Sequence, residues 1–207
     1  MQAISCFFLD IGGVLLSKGW GHEFRKQATD HFNMDAFKME ERHTLFFTIY
    51  EEGRITLDEY LDKVVFYTNR NFSRDEFKDF MFSLSTLNSE MYSFIKRLKL
   101  QYGLKIIAVS NEGRELNSFR IKKFKLNEIF DFFVSSCYFH IRKPDAAIFQ
   151  LAIDGAQVPI SKIVYIDDEQ IFIDVAKPLG ITAIHHTDFL STSKALAKLG
   201  LTIMQGN

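Results

Sequence analysis

The chain has 207 residues, 47% of them apolar and 25% charged, with a formal net charge of −1 at pH 7. That mixture suits one globular α/β unit with a sizeable insertion and ample core. The balanced charge does not advertise the basic face that a nucleic-acid partner needs, and no apolar run approaches the length of a membrane span.

Residues 4–9 (ISCFFL) form a short, nearly continuous apolar run that stops at Asp10, the pattern of a central strand buried on both faces. Gly12 and Gly13 follow and predict a sharp turn. From about 18 to 85, four stretches carry apolar residues at helical spacing: 20–32, 37–53, 56–70 and 73–84. Thr56 with Glu59 makes a capping box opening the third, and Gly53 is placed to end the second. No strand pattern interrupts this stretch, so it reads as a small helical cap. Beyond it, helix and strand alternate. A helix is expected over 89–101, a strand over 104–109, a helix over 112–123 and a strand over 132–135. Then come a helix from Pro144 to about 156, a strand over 163–166, a helix over 169–178, a strand over 181–185 and a helix over 191–199. Such alternation predicts a parallel sheet with right-handed crossovers.

Many of the 22 phenylalanines fall at helix-like spacing and read as core, with a cap or dimer surface as the second reading. The basic run Arg120, Lys122, Lys123 and Lys125 reads as the wet side of one helix. Cys6 and Cys137 are expected as reduced thiols. The sequence opens without a signal-peptide pattern, so a cytoplasmic location is expected.

Ligands of open parallel sheets bind beyond the carboxyl ends of the strands. Asp10 follows the first strand, Ser110 and Asn111 the second, Arg142, Lys143 and Pro144 the third, Asp167 and Asp168 the fourth, and His185 and His186 end the fifth. Asp10 can act as a nucleophile. The turn N–H groups of Ile11, Gly12 and Gly13 can cradle an anion. Ser110 offers a hydroxyl, beside the N–H groups of the helix that follows. Lys143 offers a point charge. Asp167 and Asp168 add hard oxygen ligands that, with Asp10, suit Mg²⁺. Taken singly, each set also reads as a helix cap or a turn. Four in order, each behind an apolar strand, read as a site.

These residues resemble the four motifs of the haloacid dehalogenase superfamily: Asp10-Ile11-Gly12-Gly13-Val14-Leu15, Val109-Ser110-Asn111, Arg142-Lys143-Pro144-Asp145 and Tyr165-Ile166-Asp167-Asp168. The segment Glu51 to Thr56 is similar to one in the helical caps of the subgroup whose cap lies between the first two motifs. The resemblance implies a doubly wound sheet of order 3-2-1-4-5. Residues 1–17 and 86–207 would form the core domain and 18–85 the cap. It implies an aspartyl-phosphate at Asp10, with Ile11, Gly12, Ser110, Asn111 and Lys143 around the phosphoryl group. Mg²⁺ would sit on Asp10, the Gly12 carbonyl, Asp168 directly, and Asp167 directly or through water. A small phosphorylated substrate is expected, with no nucleic-acid or membrane partner, for a monomer or homodimer.

Two positions depart from that pattern. Phosphatases of the superfamily usually carry an Asp two residues after the nucleophile as general acid and base, and here Gly12 stands there. Motif four often has Asn or Asp where this chain has Phe172, and Asp174 would compensate only by turning inward. Trp20, as a substrate wall or as packing, and His22, as a substitute proton donor, are further candidates. Glu112 reads as a helix cap and Arg54 as an exposed charge. The competing readings are a metal-independent carbon–halogen hydrolase, which the acid pair argues against, and a non-catalytic metal- or phosphate-binding protein. A phospho-accepting receiver domain would place its acid pair after the first strand and has no room for the insertion.

Overall fold

Strands of four to six residues with apolar side chains on both faces must be covered on both faces. In the computed structural model, which describes residues 3–203, five such runs form one sheet. They are β1 (Cys6–Leu9), β2 (Lys105–Ser110), β3 (Phe132–Ser135), β4 (Ile163–Asp167) and β5 (Thr182–His185), all parallel, in the order β3-β2-β1-β4-β5. The chain is therefore doubly wound, as expected. Alternate residues of β1 point to opposite faces. Phe7 and Leu9 meet α5 (Ser89–Tyr102) and α10 (Phe189–Lys198), while Cys6 and Phe8 meet α8 (Ala146–Ala156) and α9 (Gln170–Ala176). Cys6 and Cys137 are both buried and unbridged.

Helices α1 (His22–His31), α2 (Ala36–Glu51), α3 (Leu57–Val64) and α4 (Arg74–Ser83) fill the stretch between β1 and α5. They share a core of their own, in which Trp20, Tyr60, Phe77 and many of the phenylalanines pack. It extends onto Leu116 and Phe119 of α6 (Arg114–Lys123). Ten of the 22 phenylalanines pack in this cluster and most of the others in the two cores flanking the sheet, although Phe37 is exposed. Among the described residues no helix is long and apolar enough to cross a membrane.

The structure changes several expectations. The third helical stretch stops at Val64, where Val65 and Phe66 turn inward to the insertion's core. The helix expected from Pro144 starts at Ala146, because the Asp145 side chain accepts from the Ala147 N–H and caps it; the Lys143–Pro144 peptide is cis. A short α7 (Ser136–Phe139) follows β3 directly. Arg120 is not on a wet face. It is fully buried, on the same side of α6 as Leu116 and Asn117.

Candidate active site

Register builds the site. Leu9 lies beside Ile166, and the Asp10 N–H donates to Ile166 O at 3.0 Å, so the chain leaves β1 next to the end of β4. One carboxylate oxygen each from Asp10, Asp167 and Asp168 falls within 4.8 Å of the others. Lys143 Nζ, fully buried, lies 3.2 Å from Asp10 Oδ1 and 2.5 Å from Asp167 Oδ2. Burial pulls the ammonium down, but the carboxylates of Asp10 and Asp167 outweigh it and hold its pKa above the ordinary value. Asp10 is held well above the usual carboxylate range. Burial is the main cause; Lys143 opposes it, and Asp167, Asp168 and Glu112 reinforce it.

The acid pair divides its work. Asp167 is the more engaged of the two: Lys143 Nζ and the Tyr165 hydroxyl donate to Oδ2, and the Glu169 N–H donates to Oδ1 at 2.8 Å. It orients Lys143 and is less available to a metal. Asp168 faces the cleft and pairs with Lys18 Nζ at 2.9 Å. His185 Nε2 stands 3.0 Å from the Asp168 carbonyl. Gly13 has φ +79°, and a Cβ there would fall 2.2 Å from Asp168 Oδ2, so the second glycine is what lets Asp168 approach the turn.

The anion cradle is smaller than the sequence suggests. The Gly13 N–H already donates to Leu16 O, and the Glu112 N–H to Ser136 Oγ. Ile11 is fully buried, so only its main chain can serve. Ser110 Oγ is buried and finds no partner among the described groups, the state of a donor awaiting an acceptor. The Asn111 side chain is spent on Lys143, accepting from its N–H at 2.8 Å and donating to its carbonyl at 2.9 Å. It positions the lysine rather than pointing at a ligand.

Asp10, Gly12, Asn111, Lys143 and Asp168 line a cleft of about 290 Å³, at the small end for a ligand site, with Ser110 and Asp167 buried behind them. Trp20, Phe47 and Phe172 supply its apolar lining. Trp20 also packs in the insertion's core and donates to the Tyr60 hydroxyl at 3.1 Å. The Phe172 ring lies 4.7 Å from Lys143 Nζ, so a ring face meets the ammonium where a polar partner was missed. Asp174 is exposed and bonded to Gln170. His22 is not brought to the site: it is exposed and faces Glu40 outside this cleft. Arg54 is exposed, as read. Glu112 is not a simple cap, since it is buried in an ion pair with Arg120 at 2.7 Å. Lys18 and Phe47, outside the motifs, and Glu51, which opens the cap segment but carries no assigned role there, also line the cleft.

The donor set fits a hard divalent cation. Asp10 and Asp168 offer carboxylate oxygens to the cleft that Gly12 also lines, and the three clustered acids are faced by the ammoniums of Lys143 and Lys18.

A comparison with curated protein sequences finds no match. Among solved structures, the chain is similar to the HAD family enzyme bt-2542 of Bacteroides thetaiotaomicron in complex with magnesium and inorganic phosphate. The TM-score is 0.73 at 23% identity, covering 92% of this chain and 98% of that one. A predicted HAD-like family hydrolase from Porphyromonas gingivalis is similar at TM-score 0.75 and 19% identity, covering 95% and 97%. The L-2-haloacid dehalogenase RSc1362 is similar at TM-score 0.66 and 16% identity, covering 90% and 87%. Residues 4–180 match the family model of the haloacid dehalogenase-like hydrolases, a span that contains all four residue sets around the cleft, and the chain belongs to that family.

Proposed function

We propose that the chain is a Mg²⁺-dependent phosphohydrolase that acts on a small phosphorylated metabolite through an aspartyl-phosphate at Asp10. The observation that carries this reading is the grouping of the Asp10, Asp167 and Asp168 carboxylates within 4.8 Å of one another. Such a cluster of hard oxygens, beside Lys143 and Lys18, is the kind of seat that Mg²⁺ takes. Mg²⁺ held by Asp10, Asp168 and the Gly12 carbonyl would supply the charge that lets a carboxylate approach a phosphate dianion. Asp10 attacks phosphorus. Lys143, held by Asp167 and Asn111, neutralises a phosphoryl oxygen. Ser110 donates to another through its unpartnered hydroxyl. The bt-2542 complex with magnesium and inorganic phosphate supports this chemistry for the fold.

In this reading residues 18–85 are the cap and 1–17 with 86–207 the core domain. The cap excludes water and sets the substrate through Trp20 and Phe47.

The rival is a metal-independent carbon–halogen hydrolase, favoured by Gly12 in place of an acid and by the similarity to a dehalogenase. A phosphate-release screen over a metabolite panel with Mg²⁺, beside Asp10→Asn and EDTA, separates the two. Release that requires metal and vanishes in Asp10→Asn is expected. Release that survives in Asp10→Asn, or halide release in EDTA without any ester hydrolysis, would reject the proposal.

A further inference from the structure

An alkoxide leaving a phosphoryl group needs a proton, and the acids lining the cleft are few: Asp10, Glu51, Glu112, Asp168 and Glu169. Asp10 is the nucleophile and Asp168 faces the metal position. Glu169 is half exposed and paired with Lys18 at 2.6 Å. Glu112 is tied to the buried Arg120 guanidinium. Glu51 remains.

We infer that Glu51, from the end of α2, protonates the departing alkoxide and then takes a proton from the attacking water; this rests on the phosphohydrolase reading above. The placement is built. Ser136 Oγ donates to the Glu51 carbonyl at 2.6 Å. Arg142 Nη1 donates to Thr48 Oγ1 at 3.2 Å. Gly53, at φ +65°, ends the helix so close to the core that a Cβ there would fall 2.3 Å from Cys137 O. The tip of α2 is therefore fixed on α7 and the loop after it, with the Glu51 side chain in the cleft wall. Glu51 Oε2 stands 2.7 Å from Arg142 Nη2 but off the line of a hydrogen bond, and it finds no other partner among the described groups.

The charged and titratable groups facing Glu51 are Arg142 and Lys143 from the loop after α7, Glu112 from the loop after β2, and Tyr60 from α3. Burial is the largest influence and, with Glu112, outweighs Arg142 and Lys143, pushing Glu51 up to about 7. Such an acid holds and releases a proton near neutrality.

The step balances. An Asp10 oxygen bonds to phosphorus as the bond from phosphorus to the leaving oxygen breaks, and the Glu51 proton passes to that oxygen to give the alcohol. The Glu51 carboxylate then takes a proton from water, whose oxygen bonds to phosphorus as the Asp10–phosphorus bond breaks. Inorganic phosphate leaves and Glu51 is again an acid.

The test compares p-nitrophenyl phosphate, whose leaving group needs no proton, with the alkyl phosphate that wild type turns over fastest, in Mg²⁺. Glu51→Gln is expected to lose roughly 10²–10⁴-fold in kcat on the alkyl ester. On the nitrophenyl ester it should retain a burst of one nitrophenolate per site, followed by slow turnover. Alkyl turnover within about threefold of wild type, or equal loss of the burst and of alkyl turnover, overturns the assignment. So does a wild type that hydrolyses aryl but no alkyl phosphates. Should the variant fail to fold, wild type decides alone. Its alkyl kcat should fall above pH about 7 while the nitrophenyl burst rate does not, and the absence of that split overturns the role. Normal Glu51→Gln beside inactive Asp10→Asn sinks only Glu51. Wild type inactive on every ester sinks the phosphohydrolase reading and this one with it.

Discussion

Gly13 meets two demands at once. Its φ of +79° is one that L side chains rarely adopt, and the space of its missing Cβ holds the Asp168 carboxylate. Gly13→Ala should therefore displace a proposed metal ligand without touching the nucleophile. The Mg²⁺ concentration for half-maximal phosphate release is expected to rise roughly 10–100-fold, the usual effect of disturbing a ligand's support. An unchanged titration would remove Asp168 from the ligand set. Arg120 makes the opposite case, a charge whose position sequence reading put outside. The signal was present: Leu116 and Asn117 precede it by four and three residues, which places all three on one face. A run of nearby lysines masked it. Its guanidinium donates to Glu112 Oε1 at 2.7 Å, to Ser85 Oγ at 3.1 Å and to the carbonyls of Ser17 and Lys18. Arg120→Ala would strand the Glu112 carboxylate, and a loss of about 3–5 kcal/mol in urea unfolding is expected. A loss below about 1 kcal/mol would mean that the pair is solvated.

At the scale of elements, helix starts were legible where side-chain chemistry is local. The Thr56–Glu59 box is complete in both directions, and Ser73–Glu76 forms a second one that the same four-residue pattern encodes. Ser73→Ala and Thr56→Ala should each cost about 1 kcal/mol by urea unfolding. Thr56→Ala should also loosen the insertion from the core, because the next N–H, that of Leu57, donates to Glu115 Oε1 of α6 at 3.0 Å. Faster proteolysis within 57–64 in that variant only is the expected reading, and equal proteolysis of both would separate the cap box from the docking. Strand positions were legible from apolar runs because a doubly covered strand leaves little choice of residue. The end of α3 was not, since Val65 and Phe66 keep an apolar pattern while turning into tertiary contacts. The start of α8 was misplaced because Asp145, not Pro144, supplies the cap.

At the scale of the molecule, sequence order and strand order together explain why motif residues converge. Those placed by the sheet's register, Asp10, Asp167 and Asp168, were readable. Those supplied by contact between insertion and core, Glu51 above all, were not, because no local pattern states where α2 ends in space. That contact carries a consequence for stability. Glu51 rises from an ordinary 4.5 to about 7, chiefly through burial. Between those values the folded chain binds a proton that the unfolded chain has lost, so this group's contribution falls as pH rises, being full below 4.5 and gone above about 7. The shift corresponds to about 3 kcal/mol. Glu51→Gln removes it. In EDTA, the variant and wild type should have similar urea stability near pH 4.5, and the variant should gain by about 3 kcal/mol relative to wild type by pH 8. The raised Asp10 is present in both chains and cancels in the difference. Parallel stability curves would mean that Glu51 is solvated and ordinary. A divergence of the stated sign, together with lost alkyl-ester turnover, would identify an acid that the fold keeps in place at the expense of its own stability, as expected of a group selected for proton transfer rather than for packing.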